Sequence, residues 1–177
     1  MTMKPTTTGT PSNKLHHILV VEDNPGDICL IKEVFGTYPH VYWHFVTDII
    51  QAQLYLDQMP PYHLASRPSL VLLDLKTPLF PGHSLIKSMR SNAHLKDIKI
   101  VVFTTSRADR DKAICLEFGA DAYIEKRIEL KEWTKALETA LTYLSAPPFP
   151  PREALVIPTV DSGHVFDPDG ISDVTII

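Results

Sequence analysis

The sequence predicts an α/β fold, a doubly wound parallel sheet of five strands with helices on both faces. Three observations predict it. Five short apolar runs alternate along the chain with five segments of helical periodicity. The runs are apolar at consecutive positions, as strands covered on both faces must be. Acids, a hydroxyl and a lysine directly follow four of the runs, and a parallel sheet gathers them at one edge.

Each element has its own signal. Residues 1–14 are rich in Thr and Pro and read as a disordered lead-in. His17-Ile18-Leu19-Val20-Val21 is the first strand. Asn24 caps the helix that follows, with Pro25 in its first turn, where a missing amide proton costs nothing. Ile28, Ile31, Val34 and Phe35 give that helix its apolar stripe, and Gly36 ends it. Val41 to Val46 is the second strand. Asp48 caps a helix from Ile49 to Met59, stopped by Pro60-Pro61. Ser69 to Asp74 is the third strand, apolar until its last residue. Leu85, Ile86 and Met89 mark a helix that opens after Pro81-Gly82. Ile98 to Phe103 is the fourth strand, closed by Thr104. A helix from Ala108 to Phe118 ends at Gly119, and Ala122-Tyr123-Ile124 is the fifth strand. Leu130, Trp133, Leu137, Leu141 and Leu144 form a last helical stripe that faces the core. Right-handed crossovers and a flavodoxin-like strand order follow, with the functional crevice beyond the C-terminal ends of the strands.

The composition changes at the end of the chain. Pro147, Pro148, Pro150 and Pro151 break any helix and make a stiff spacer. Residues 146–177 are thus a Pro-rich C-terminal extension. Leu155-Val156-Ile157 and Val174-Thr175-Ile176-Ile177 are strand formers within it, separated by the turn Asp167-Pro168-Asp169-Gly170. Three fates are open to such runs: packing on their own domain, pairing with a second copy, or docking on a partner.

The chain has 177 residues, 44% of them hydrophobic, and a formal charge of −4. That suits one globular domain with appendages. Lys and Arg are dispersed, which argues against nucleic acid as a partner. No run approaches the roughly 20 apolar residues of a membrane span. The N-terminus lacks the apolar core of a signal peptide. Cys29 and Cys115 both fall inside helical apolar patterns and read as buried, reduced thiols. A cytoplasmic protein is expected. His16 and His17 are adjacent on a strand, point to opposite faces, and so share no metal.

The chemistry collects at the strand ends. Glu22 and Asp23 end the first strand, Asp74 the third and Thr104 the fourth, and Lys126 follows the fifth. Singly, each has a plain explanation: an acid after a strand caps a helix, and a lysine there is solvated. Together they pose an electrostatic problem, because carboxylates packed at one edge repel one another. A divalent cation removes that repulsion, and an all-oxygen ligand set that keeps some waters suits Mg²⁺. A screened carboxylate attacks phosphorus while an ammonium and a hydroxyl hold the other phosphoryl oxygens. The product is an acyl phosphate on an aspartate.

Four segments then resemble the receiver domains of two-component response regulators. They are Val20-Val21-Glu22-Asp23-Asn24, Leu72-Leu73-Asp74-Leu75-Lys76-Thr77-Pro78, Phe103-Thr104-Thr105-Ser106 and Tyr123-Ile124-Glu125-Lys126. The spacing agrees: Thr104 lies 30 positions after Asp74, and Lys126 lies 22 after Thr104. Pro78 and Gly82 also fall where that family has them. The resemblance covers residues 15–145. It implies that Asp74 is the phosphoacceptor and that Glu22 and Asp23 hold Mg²⁺ together with Asp74 and the backbone carbonyl of Lys76. It implies that Thr104 and Lys126 sense the phosphoryl group and that Tyr123 is the aromatic switch. The run Val20 to Asp27 resembles the stand-alone receivers associated with bacterial phytochromes and other sensor kinases.

Two departures stand out. Arg127 follows Lys126 where most receivers have proline, and the stretch from Met59 to Ser69 is longer than usual. The resemblance further implies a sensor histidine kinase or phosphotransfer protein as donor, a downstream protein as target, and a homodimer. It implies a protein that catalyses its own phosphorylation and dephosphorylation, not a conventional enzyme. The residues after Ser145 are too few for a DNA-binding effector with its own core, so output is expected through protein contacts. Two rival functions compete with this one. An aspartate-nucleophile phosphohydrolase wants a second carboxylate two residues after the nucleophile, and Lys76 stands there. A degenerate receiver acting as a phosphorylation-independent adaptor would lack one of the pocket residues, and none is missing.

Overall fold

The computed structural model describes residues 15–35, 38, 40–78, 80–126, 130–144 and 174–176. Within them strands and helices alternate as the sequence predicts. The order is β1 (His16–Val21), α1 (Pro25–Phe35), β2 (Val41–Val46), α2 (Ile49–Leu56), β3 (Leu70–Leu73), α3 (His83–Ser91), β4 (Lys99–Thr104), α4 (Asp109–Glu117), β5 (Ala122–Glu125), α5 (Leu130–Thr142) and β6 (Val174–Ile176). The sheet runs β2-β1-β3-β4-β5-β6. β1 to β5 are parallel, in the flavodoxin-like order. β6 adds a sixth, antiparallel edge strand that places Val174 opposite Ile124 and Ile176 opposite Ala122. Of the three fates open to this run, the structure displays pairing with the chain's own β5. Residues 1–14, Gly36, the Pro147–Pro151 spacer, the run Leu155–Ile157 and the turn Asp167–Gly170 lie outside the described residues.

Strands covered on both faces feed two cores. Leu19, Val21, Val71, Leu73, Ile100 and Val102 pack with Ala52 of α2, Ile86 and Met89 of α3 and Cys115 of α4. Ile18, Val20, Leu70, Leu72, Val101 and Phe103 pack with Ile31 of α1 and with Trp133 and Leu137 of α5. Consecutive strand residues thus go to opposite layers, and the sheet is doubly wound. Trp133 meets Phe103 edge-on, with ring centroids 4.9 Å apart. Each aliphatic side chain so buried contributes about 1.5–3 kcal/mol. The two layers together fix where the strand ends lie.

Local signals set the helix limits. The Asn24 side chain accepts from the amides of Gly26 and Asp27 at 2.8 and 3.2 Å, opening α1. Asp48 caps α2 by accepting from the Gln51 amide at 2.8 Å. α2 stops at Leu56, short of Met59, because Gln58 takes a left-handed φ of 52° and the Met59 amide reaches back to the Leu54 carbonyl. At the N-terminal end of β4, buried Asp121 accepts from Arg90, Lys99 and the Ile100 amide at 2.8, 3.0 and 2.8 Å. That clasp ties the start of β5 to β4. Among the described residues no helix is long and apolar enough to cross a membrane.

One expectation needs correction. Cys115 is buried, but Cys29 is exposed. Ile31 carries the inward face of α1, and a residue two positions earlier lies about 200° round the helix, on the solvent side. Burial, helped by the nearby Asp111 charge, pushes the Cys115 thiol up to about 12. Iodoacetamide at about pH 8 should therefore alkylate native protein once, at Cys29, and denatured protein twice. Equal labelling of both thiols in the native state, read by intact mass and peptide mapping, would contradict this packing.

Candidate functional site

The strand order reverses between β1 and β3, and the polar strand ends meet there. Glu22 leaves β1 and is buried. Asp74 leaves β3, and its amide continues the ladder by donating to the Val21 carbonyl at 3.0 Å. Lys126 leaves β5, and its amide donates to the Thr104 carbonyl at 2.7 Å. These backbone bonds hold three charged residues at one edge, each at most 6% exposed as a whole residue.

The Lys126 ammonium occupies the middle of the edge. Its Nζ donates to Glu22 Oε2 at 2.5 Å, to Asp74 Oδ2 at 2.6 Å and to Asp27 Oδ2 at 2.8 Å. The Phe103 ring lies beneath it, with its centroid 5.6 Å away. Carboxylate oxygens of Glu22, Asp27 and Asp74 all lie within 4.8 Å of one another. The remaining oxygens are partly used by backbone amides: Asn24 N to Glu22 Oε1 at 3.1 Å and Lys76 N to Asp74 Oδ1 at 3.0 Å.

The charges do not balance. Burial pushes the Glu22 carboxyl above its ordinary range; the bond and charge of Lys126 pull it down, and the Asp74 charge pushes it up again. Burial alone would lower the Lys126 ammonium, but the Asp74 charge and the bonds from Asp27, Asp74 and Glu22 outweigh it, so its pKa is raised. One ammonium faces three carboxylates, leaving a formal excess of two negative charges. Hard oxygen donors with that excess fit a divalent cation of the Mg²⁺ kind; the deep Glu22 and Asp74 would hold it, with Asp27 at the rim of the cluster.

The structure brings together Glu22, Asp74 and Lys126, and adds Asp27. Asp23 is exposed and stands outside the converging carboxylates. Successive residues leaving a strand point to opposite sides, so Glu22 turning in sends Asp23 out. Lys76 is exposed and lies beside Asp74 through its amide. Asp27 is not among the site residues the sequence points to, because it stands in the first turn of α1, a common place for an acid. Its signal was position: it follows the capping Asn24 by three residues, which turns it back toward the end of β1.

Thr104 and Tyr123 lie to one side, joined through the loop after β4. The Thr104 Oγ1 accepts from the Ser106 amide at 3.3 Å, and the Tyr123 hydroxyl donates to the Ser106 carbonyl at 3.0 Å. Both side chains are buried, so Tyr123 points inward here. Burial pushes its phenol up to about 12. Ser106 Oγ donates to Asp111 Oδ2 at 2.5 Å, tying the loop to the first turn of α4.

This edge, with acids, lysine and hydroxyl on the ends of a five-stranded parallel sheet, defines a receiver. The response regulator receiver domain family matches residues 18–138, and the chain belongs to it. Response regulator Rcp1 of Synechocystis sp. is 33% identical over 128 residues, covering 72% of this chain and 87% of that one. The solved structure of the phosphorylated cyanobacterial phytochrome response regulator RcpA matches with a TM-score of 0.71 at 31% identity, over 76% of this chain and 98% of that one. The Mn(2+)-bound form of response regulator Rcp1 matches with a TM-score of 0.69 at 31% identity, over 76% and 99% of the two chains.

The protein therefore has the architecture and the Mg²⁺-binding acidic cluster of phosphoacceptor response regulators, and is related to the phytochrome-associated ones. Its chemistry is its own phosphorylation and dephosphorylation, not turnover of a separate substrate. Membership implies exchange with a histidine kinase or phosphotransfer protein.

Gly82 lets the loop after β3 fold close to the cluster. A Cβ there would stand 2.8 Å from the Asp74 carbonyl oxygen and 2.8 Å from Leu75 Cα, both backbone atoms that cannot swing away. Gly82→Ala should displace Asp74 and slow labelling by a small phosphodonor by at least about tenfold, with secondary structure retained by circular dichroism. Labelling at the native rate would show that the loop tolerates the side chain.

Proposed function

We propose that Asp74 accepts the phosphoryl group and that Glu22, Asp74 and the Lys76 carbonyl form the cation site, with Asp23 reaching the cation through water and Asp27 beside the site on Lys126. The observation that carries this is the single ammonium of Lys126 held against Glu22, Asp27 and Asp74. Asp74 follows β3, which lies between β1 and β4, where a donor can approach from beyond the sheet. A carboxylate oxygen of Asp74 attacks phosphorus, the bond from phosphorus to the donor nitrogen breaks, and an acyl phosphate forms. When bound, Mg²⁺ screens the carboxylate and phosphoryl charges. Lys126 and Thr104 then take the phosphoryl oxygens. Water later attacks phosphorus, regenerating the carboxylate and releasing phosphate.

Phosphorylation reaches the surface through the loop after β4. Movement of the Thr104 hydroxyl toward the phosphoryl group draws on the Ser106 amide bonded to it, and Ser106 also holds Tyr123 and Asp111. Tyr123, whose hydroxyl donates to the same loop, is on this reading the aromatic switch.

The donor we assign is a sensor histidine kinase of the phytochrome-linked kind, since the relatives Rcp1 and RcpA are response regulators and RcpA is a phytochrome response regulator. The output is a downstream protein rather than nucleic acid, consistent with the dispersed Lys and Arg. The working unit is residues 15–145, with 1–14 and 146–177 as appendages, in a cytoplasmic homodimer. A phosphorylation-independent adaptor remains the second reading, favoured only if the pocket fails to label.

Asp74→Asn keeps the shape and removes the nucleophile. Incubated with Mg²⁺ and acetyl phosphate, the native chain should gain one phosphoryl group by intact mass, labile to acid and to base as an acyl phosphate is, and the variant none. A stoichiometric adduct on the folded variant would move the acceptor elsewhere.

A further inference from the structure

Asp27 lies outside the acid pair that the receiver resemblance assigns to the metal, yet it shares the ammonium of Lys126. Its position is set by backbone bonds, not by the ammonium. Asn24 accepts from the Asp27 amide, and the Ile28 amide bonds the Asn24 carbonyl at 3.0 Å, starting α1. The three carboxylates around Lys126 are not equivalent. The side chains of Glu22 and Asp74 are 3% and 7% exposed, whereas that of Asp27 is 20% exposed, at the rim. An ammonium has three N–H donors, and these three acids use all of them.

The two deep acids are also the ones a cation needs. A cation that takes Glu22 and Asp74 strips the ammonium of two partners. A buried ammonium left with none is strongly disfavoured. Asp27 supplies the partner that stays. We propose that Asp27 is a positioning residue for Lys126, a rim carboxylate that holds the ammonium when the cation takes the deep pair. This rests on the cation site proposed above. It makes cation entry an exchange of partners rather than the stranding of a charge, and it keeps the ammonium beside Asp74 for the incoming phosphoryl group.

The test is a double-mutant cycle read by amide chemical shifts during titration with MgCl₂, without any phosphodonor. The four proteins are the native full chain, Asp27→Asn, Lys126→Ala and the double variant. Asp27→Asn should weaken Mg²⁺ by about tenfold in the native background, and by at least about fivefold less where Lys126 is already gone. Asp27→Glu should keep most of the native affinity. Equal losses in both backgrounds would make Asp27 a ligand of the cation in its own right and overturn the positioning role, as would native affinity in Asp27→Asn. If Lys126→Ala does not hold its fold, Lys126→Gln takes its place in the cycle. Absence of Mg²⁺ binding in the native chain would overturn the cation site itself and this inference with it.

Discussion

One ammonium set among three carboxylates is the interaction on which the rest of the structure depends. Lys126 reaches Glu22, Asp27 and Asp74 from strands and a helix that are far apart in sequence. Buried ion pairs seldom add net stability, because the desolvation of each charge offsets the attraction. Here the imbalance is deliberate in chemical terms: the site carries more negative charge than the lysine neutralises. A pocket built that way is incomplete until a cation enters, and it attracts one. The same ammonium is then in place for a phosphoryl group.

The scaffold keeps this arrangement rigid. Glu22, Asp74 and Lys126 each follow a strand with a buried apolar run, and their amides are pinned by backbone bonds to adjacent strands. Phe103, under the ammonium, is itself fixed by Trp133 of the last helix. At the far end of β4 and β5 the Asp121 clasp with Arg90 and Lys99 sets the same two strands. The loop after β4 meets its surroundings through single hydrogen bonds at Ser106, which joins Thr104 of β4, Tyr123 of β5 and Asp111 of α4.

Most of the fold was legible because buried parallel strands and amphipathic helices have different periods, and the chain alternates them cleanly. Glu22, Asp74, Thr104 and Lys126 were legible for a related reason: a polar residue that stops an apolar strand has only the sheet edge to occupy. Asp27 was hidden, because an acid in a first helical turn has an ordinary explanation, and only the Asn24 turn shows that it bends back to the site. Asp23 shows the converse: the acid pair in sequence does not say which member turns in. Cys29 was misjudged because a cysteine within a helical stripe still depends on its angle to Ile31. The pairing of Val174–Ile176 with β5 was open, since strand propensity names no partner.

The hold of Lys126 on the acidic edge has a direct measure, the thermal midpoint of Lys126→Ala beside the native chain, with chelator and with Mg²⁺. Without metal the variant leaves the acids uncompensated and should lose about 3–5 kcal/mol, the usual effect of removing one partner from a buried ion cluster. Mg²⁺ should return most of that loss and raise the variant's midpoint more than the native one. Equal midpoints for the two proteins in chelator, or equal gains on adding Mg²⁺, would show that the lysine is not the charge that holds this site together.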